Sequence, residues 1–219
     1  VGDSLGMVVL GFPDTTHVTL DHMLHHVEAT ARGVKNALLV GDMPIHSYDT
    51  VEQAVQSAKK LFLAGADAVK LEGGAAQAGN IRAIVEAGIP VVGHIGLLPQ
   101  KVLEEGGYRI KGKSSAEEEA LVRDVEAVAE AGACAVVVEG VTPHAARQVT
   151  VHSSIPTLGI GSGSHTCDGD VVVIHDLVGA FPWFIPAFVK PRADVAGSMT
   201  AAVKEWMEDC YTEPGSISS

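Results

Sequence analysis

Acidic side chains and one histidine recur in this sequence just after apolar runs, at the points where buried strands would end. They are Asp3, Asp42, Glu72, His94 and Glu139. Neighbours in this set are 22 to 45 residues apart, and one strand–helix–strand unit takes about 30 residues. Because the carboxyl ends of parallel strands meet at one rim of a barrel, the spacing predicts that the five side chains converge.

Three of these carboxylates, brought together, would repel one another unless a cation neutralised them. Oxygen ligands suit Mg²⁺, which takes one or two carboxylates directly and keeps waters or substrate oxygens as its other ligands. We expect Asp3 and Asp42 to bind the ion directly, and Glu72 to bind it directly or through a water. His94 is either a further site residue or a histidine satisfied by hydrogen bonds in the interior.

Two other polar residues are candidates for binding an anionic substrate at the same place. Lys70 lies two residues before Glu72, so both side chains point to one face of a strand. Its ammonium group would neutralise a substrate carboxylate. Ser4 follows Asp3 directly and offers a hydroxyl and a backbone N–H to the same anion.

Short apolar runs alternate along the chain with longer runs of helical periodicity. The runs are rich in Val, Ile and Leu on both faces, as in parallel strands that are buried on both sides. Thr50 is in position to cap the helix that starts at Val51, and a last helix is predicted over 198–210. The predicted strands lie within residues 37–44, 67–74, 90–100, 134–141, 155–163 and 168–179.

Val1 and Gly2 would finish one more strand, which makes seven, whereas the closed (β/α)₈ barrel has eight. We therefore predict an α/β barrel that lacks its first β/α unit in this chain, as a single domain over residues 1–219. An open, doubly wound sheet is the alternative. Its phosphate-binding signature is weak here, since GIGSG at 159–163 opens no obvious helix.

Composition excludes several classes of function. The 15 basic and 27 acidic residues give a net charge of −12, which does not suit nucleic-acid binding. No run approaches the length of a membrane span, and no signal peptide is recognised at the start. Cys134, Cys167 and Cys210 are far apart, so we expect neither a disulfide framework nor a zinc site, and a cytoplasmic location. An organelle leader that has been removed stays an alternative.

Eight motifs in this order resemble the ketopantoate hydroxymethyltransferase family and span nearly the whole chain. They are VGDSLGM (1–7), GDMP (41–44), VKLEGG (69–74), GHIGLLPQ (93–100), GGYRIKGK (106–113), EGV (139–141), IPTLGIGSG (155–163) and DGDVVVIHD (168–176).

The resemblance implies a TIM-type barrel of the phosphoenolpyruvate/pyruvate superfamily. It implies transfer of a hydroxymethyl group from 5,10-methylenetetrahydrofolate to 3-methyl-2-oxobutanoate through a Mg²⁺-stabilised enolate, giving ketopantoate for pantothenate and coenzyme A synthesis. By the same resemblance, Glu139 matches the proton acceptor. The residues that match the Mg²⁺ positions are Asp3, Asp42 and Glu72, and those that match the ketoacid positions are Asp3, Ser4, Asp42 and Lys70.

The family also implies a homo-oligomer, often a decamer. The aromatic segment 180–190 is expected to pack at a subunit interface or to act as a lid. Two alternatives to the transferase remain: an inactive scaffold or oligomeric binding protein, favoured by the absent first unit, and a superfamily lyase or mutase. The second usually uses a cysteine on a mobile loop, and the loop 104–115 has none.

Overall fold

The computed structural model describes residues 1–212, so the end of the predicted domain, 213–219, lies outside the described residues. Contacts group the chain into two units. The first spans Val1–Val171 and holds every strand found in the described chain, while the second begins at Val172. A single domain over 1–219 stays a prediction.

Parallel strands form one sheet in the first unit, in the same order as they occur along the chain. With a helix between each pair of consecutive strands except the last pair, this order is that of a partial (β/α)₈ barrel, and it lacks the reversal of a doubly wound sheet. The barrel prediction is therefore confirmed. The six strands of the described residues are β1 (Val40–Asp42), β2 (Ala68–Lys70), β3 (Val91–Gly96), β4 (Ala135–Glu139), β5 (Thr157–Ile160) and β6 (Gly169–Asp170).

The first residues of the chain lie alongside β1. The amino group of Val1 donates a hydrogen bond to the carbonyl of Val40 (2.7 Å), and Asp42 N–H donates to the carbonyl of Val1 (3.0 Å). This ladder fixes the register of the opening segment, and it sets Asp3 beside the end of β1.

Several of the helices that connect the strands begin at a side chain that caps them. Thr50, Ser114 and Thr142 each accept a hydrogen bond from a backbone N–H in the first turn that follows, which confirms the cap predicted at Thr50. The helices of the first unit are α1 (Leu5–Val8), α2 (Leu20–Gly33), α3 (Val51–Leu63), α4 (Ala78–Glu86), α5 (Ser115–Glu130) and α6 (Pro143–His152), and those of the second are α7 (Ile174–Leu177) and α8 (Val195–Thr212).

Helix α5 shows how packing sets the position of a strand. Its buried face carries Leu121, Val125 and Val128. A Cβ atom at Gly93 would lie only 2.4 Å from Cγ1 of Val128. Glycine at this position therefore lets β3 approach the helix, and the close packing fixes the strand that carries His94.

The sixth strand is shorter than its apolar sequence predicts. Pairing ends where Val171 N–H donates to the carbonyl of Gly159. Val171 and Val172 are 40% and 43% exposed, unlike residues of a strand buried on both faces. The residues of α7 then become helical instead of extending the strand. The valine run suggested a longer strand because composition alone does not show where pairing stops.

In the second unit, the predicted last helix is confirmed and is longer than expected, as α8. Trp183, Phe184 and Phe188 are exposed, and their role at an interface or in a lid stays a prediction. Among residues 1–212, no helix combines the length and the apolar composition needed to cross a membrane.

Candidate active site

The carboxyl ends of β1 and β2 bring an acid and a base side by side. Asp42 and Lys70 are register partners on the two strands, and Lys70 Nζ lies 2.9 Å from Asp42 Oδ1. The other oxygen, Asp42 Oδ2, accepts a hydrogen bond from Asp3 N–H (3.1 Å). Asp3 and Asp42 are both buried, so two carboxylates and one ammonium group share a site with little access to water.

Glu72 joins this group from the residues just after β2. It is buried, and its Oε1 lies 4.0 Å from Lys70 Nζ. The backbone N–H of Gln100 donates to Glu72 Oε2 (3.1 Å), whereas Oε1 has no hydrogen-bond partner. A buried carboxylate oxygen without a donor is costly, so this atom marks a place where a cation would be stabilised.

His94 lies among these side chains, and its role as a further site residue stays a prediction. Its Nδ1 is 3.1 Å from Lys70 Nζ, and its Nε2 is 3.2 Å from Oε2 of Glu139. Because an ammonium group can only donate, Nδ1 must accept, and the ring proton of the neutral imidazole belongs on Nε2. The Nε2 contact is close but is not aligned as a hydrogen bond.

Glu139 is the last residue of β4 and pairs in register with Gly96 of β3. Its side chain keeps 21% of its surface exposed, against 3% for Asp42 and 2% for Glu72. Gly96 has a φ of +95°, and a Cβ there would lie 2.3 Å from the carbonyl oxygen of Glu139. Glycine is therefore needed for β3 to pass this close to Glu139.

Ser4 lies next to Asp3, as expected, and is half-buried. Although it immediately precedes α1, its side chain makes no capping hydrogen bond to that helix. The structure therefore does not use this hydroxyl as a cap.

Two residues of the site were missed from the sequence, Gln100 and Tyr48. Gln100 Nε2 donates to Asp3 Oδ2 (2.8 Å) and to the carbonyl of Met43 (3.0 Å), and the hydroxyl of Tyr48 donates to Gln100 Oε1. The GHIGLLPQ motif ends at Gln100, in a short turn after β3. Applying the strand-end rule to amides as well as acids would have found it.

Burial, together with repulsion from neighbouring carboxylates, raises the pKa of three acids of the site, Asp3, Glu72 and Glu139. Burial is the larger cause for Asp3, whose pKa lies well above its ordinary value, with the charge of Asp42 adding to it. Burial also raises the pKa of Glu72 to about 8, although the nearby ammonium group of Lys70 lowers it. The pKa of Glu139 is raised by burial to about 7.

The two nitrogen bases shift in opposite directions. Burial alone would lower the pKa of Lys70, but the carboxylates around it outweigh burial and raise it, so the ammonium form persists. Burial, followed by the charge of Lys70, holds the pKa of His94 well below its ordinary value. A neutral imidazole therefore lies between a cation and a carboxylate.

Within residues 1–212, no three His, Cys, Asp or Glu side chains already surround a metal position. The ammonium group of Lys70 instead contacts Asp42 and lies near Glu72. The carboxylates are nevertheless close enough for the charge of Asp42 to raise the pKa of both Asp3 and Glu72.

The fold and this rim of acids define the class of protein: a partial α/β barrel with polar side chains at the carboxyl ends of its strands. Among solved structures, phosphoenolpyruvate phosphomutase from Streptomyces platensis subsp. rosaceus is similar with a TM-score of 0.64 at 17% identity, over 95% of this chain and 78% of that one. A 2,3-dimethylmalate lyase of the PEP mutase/isocitrate lyase superfamily is similar with a TM-score of 0.61 at 18% identity, over 100% of this chain and 77% of that one. At these identities the similarity shows the fold alone.

The sequence comparisons are more specific. The profile of ketopantoate hydroxymethyltransferase matches residues 1–214, and the chain belongs to this family. The 3-methyl-2-oxobutanoate hydroxymethyltransferase of Moorella thermoacetica is 49% identical over 211 residues, which cover 95% of this chain and 78% of the relative. The enzyme of the same name from Cenarchaeum symbiosum is 50% identical over 204 residues, which cover 93% of this chain and 78% of the relative.

Proposed function

We propose that this chain transfers a hydroxymethyl group from 5,10-methylenetetrahydrofolate to 3-methyl-2-oxobutanoate, giving ketopantoate for pantothenate and coenzyme A synthesis. The observation that carries the proposal is the juxtaposition of Lys70, three buried acids and the more exposed Glu139 at one rim. This arrangement offers an ammonium group to bind a substrate carboxylate, acids to bind a cation and a further carboxylate to accept a proton. The relatives named 3-methyl-2-oxobutanoate hydroxymethyltransferase support the same reaction.

The acid cluster, which consists of Asp3, Asp42 and Glu72, fits Mg²⁺ by the chemistry of its donors. All the expected ligands are carboxylates, the preferred ligands of this ion, and Glu72 Oε1 is buried without a hydrogen bond. Burial, with the charge of Asp42 adding to it, raises the pKa of Asp3 and Glu72, so a cation bound beside them would favour their ionised forms. We assign Asp3 and Asp42 as direct ligands and Glu72 as a direct or water-mediated one. Bound there, Mg²⁺ would polarise the keto group of the substrate and acidify its C3 proton.

Lys70 and Ser4 would bind the carboxylate of the ketoacid. Lys70 keeps its positive charge, and its ammonium group lies within reach of the acids that would hold the metal. Ser4 adds a half-buried hydroxyl from the neighbouring segment. Together they would orient the substrate so that C3 faces β4.

Glu139 would remove the C3 proton. A carboxylate with a pKa of about 7 is a stronger base than an ordinary glutamate, yet it is ionised in a large share of molecules near neutral pH. His94, held by Lys70 on one side, lies against Glu139 on the other. C3 then attacks the methylene carbon of the iminium form of the folate, forming the new C–C bond. Water replaces the folate nitrogen on that carbon, and tetrahydrofolate leaves.

The cellular compartment and the oligomeric state are part of the same proposal. The three cysteines are unpaired, two exposed and one half-buried, which suits the reducing environment of the cytoplasm. We also propose that the chain works as a homo-oligomer, as a decamer if it follows its family.

The test is a product assay on the purified chain. With 3-methyl-2-oxobutanoate, 5,10-methylenetetrahydrofolate and Mg²⁺, mass spectrometry should detect ketopantoate. Replacing Mg²⁺ by a chelator should stop its formation. A folded sample that forms no ketopantoate with all three components present would refute the proposed reaction.

A further inference from the structure

Gln100 donates hydrogen bonds to two acids of the acid cluster, one from its side chain and one from its backbone. We propose that it is a positioning residue, which holds Asp3 through its side chain and Glu72 through its backbone so that both acids are ready to bind the cation. The inference rests on the metal site of the proposed function and adds a residue to it.

The hydrogen bonds of Gln100 reach both acids from one place in the chain. Its side-chain Nε2 donates to Asp3 Oδ2 (2.8 Å), and its backbone N–H donates to Glu72 Oε2 (3.1 Å). Each carboxylate thus has one oxygen fixed by an N–H group of Gln100. Neither N–H group can itself bind a metal. The other oxygen of Glu72 has no hydrogen-bond partner, as a metal-binding oxygen should.

The orientation of the amide follows from its neighbours. A backbone carbonyl can only accept, so the amide atom that faces the carbonyl of Met43 at 3.0 Å must be the NH₂ group. The same NH₂ group faces Asp3, and the amide oxygen is left for the hydroxyl of Tyr48. All the polar atoms of this side chain are therefore in use, and Gln100 is only 3% exposed.

Tyr48 completes the arrangement as a second positioning residue that acts through Gln100. It is buried, and its hydroxyl lies 3.5 Å from the carbonyl of Glu72 in addition to the Gln100 contact. Hydrogen bonds of this kind behind metal ligands orient them and tune their basicity. A chain from Tyr48 through Gln100 to Asp3 thus spans three separate segments of the barrel.

A purely structural role would have a different signature. Gln100 also joins the end of β1 to the turn after β3, through Met43, and losing that link would lower stability wherever the metal binds. The affinity for a metal measured on folded protein, without substrate, separates the two roles. Mn²⁺ is a suitable probe because it prefers the same oxygen ligands and free Mn²⁺ is detected by electron paramagnetic resonance.

The experiment compares the full chain with Gln100→Met, Tyr48→Phe and the double variant. Thr157→Val is the matched control, since it removes buried hydrogen bonds to Asp168 and Thr150 at the start of β5. We expect Gln100→Met to raise the Kd for Mn²⁺ by about 10- to 100-fold. Tyr48→Phe should raise it less, and it should add nothing in the Gln100→Met background, because it acts through the lost amide. Thr157→Val should lower the melting temperature without changing the Kd.

A folded Gln100→Met protein whose Kd stays within about twofold of the wild type would overturn the proposal, since removing such an outer contact typically costs tenfold or more. If that variant does not fold, an unchanged Kd in Tyr48→Phe overturns it. Wild-type protein that binds Mn²⁺ but forms no ketopantoate refutes the proposed reaction, while the Kd values still decide the role of Gln100. Wild-type protein that binds no Mn²⁺ refutes both.

Discussion

His94 Nε2 lies 3.2 Å from Oε2 of Glu139, so a buried imidazole contacts the most exposed acid of the site. Lys70, 3.1 Å from Nδ1 on the other side, leaves the ring proton on Nε2, facing that carboxylate. His94 of β3 therefore contacts Glu139 of β4, the residue proposed as the base.

The first prediction concerns this contact. His94→Phe should slow exchange of the ketoacid C3 proton by up to about 100-fold, because small misplacements of a reacting group have effects of that size. The ketoacid Kd should change little, since Lys70 and Ser4 are proposed to bind its carboxylate. Proton NMR measures the exchange, and His144→Phe, which alters an exposed histidine of α6, is the control. Exchange as fast as in the wild type would show that His94 does not position Glu139.

The second prediction concerns the metal. Asp42→Asn keeps an oxygen to accept the hydrogen bond from Asp3 N–H but removes the charge. It should raise the Kd for Mn²⁺ by at least about 100-fold, more than the loss of an outer contact, and abolish turnover. Glu119→Gln, on the exposed side of α5, removes one negative charge elsewhere and should leave the Kd unchanged. An unchanged Kd in Asp42→Asn would remove Asp42 from the ligand set.

The third prediction is the pH dependence of proton removal. Glu139 must be ionised to act as a base, and its pKa is about 7 without metal. The exchange rate should therefore rise with pH and level off, and a nearby cation should move the midpoint to pH 7 or below. Glu139→Gln should lose about 10²- to 10⁴-fold in rate and the pH-dependent rise, while still binding metal and ketoacid. A rise that persists in Glu139→Gln would assign the base to another group.

The fourth prediction concerns stability without metal. Glu72 has an ordinary pKa of 4.5 and a folded pKa of about 8, so the folded state binds its proton more tightly. This favours folding at low pH, and the advantage is lost as the pH rises from 4.5 to about 8. His94, whose pKa is lowered, acts in the opposite sense as the pH rises toward its ordinary value.

Comparison with Glu72→Gln isolates the effect of Glu72. The melting temperature of metal-free wild-type protein, compared with that of this variant, should fall between pH 5 and 8. Saturating Mg²⁺ should restore it. Differential scanning calorimetry measures both, with Glu119→Gln as the control that keeps the wild-type slope. If the melting temperatures of wild type and Glu72→Gln change with pH in parallel, this would contradict a raised pKa at a buried Glu72.

Much of this arrangement could be predicted from the sequence, because the strand-end rule depends only on local patterns. Apolar runs buried on both faces located β1 to β5, and polar residues at or just after their ends, such as Asp42 and Glu72, proved to converge. The extent of β6 could not be predicted, since a valine run does not show where pairing ends. Gln100 was missed because its partners Asp3 and Tyr48 are 97 and 52 residues away in the chain, and no local pattern links them.

The central claim, that this rim removes the C3 proton of a ketoacid bound with Mg²⁺, is tested most directly by deuterium exchange at C3 of 3-methyl-2-oxobutanoate in D₂O. The exchange is followed by NMR without folate, with Mg²⁺ and with a chelator. We predict exchange that requires both the protein and Mg²⁺. A folded protein that binds the ketoacid but shows no exchange with Mg²⁺ would contradict the account and favour an inactive scaffold.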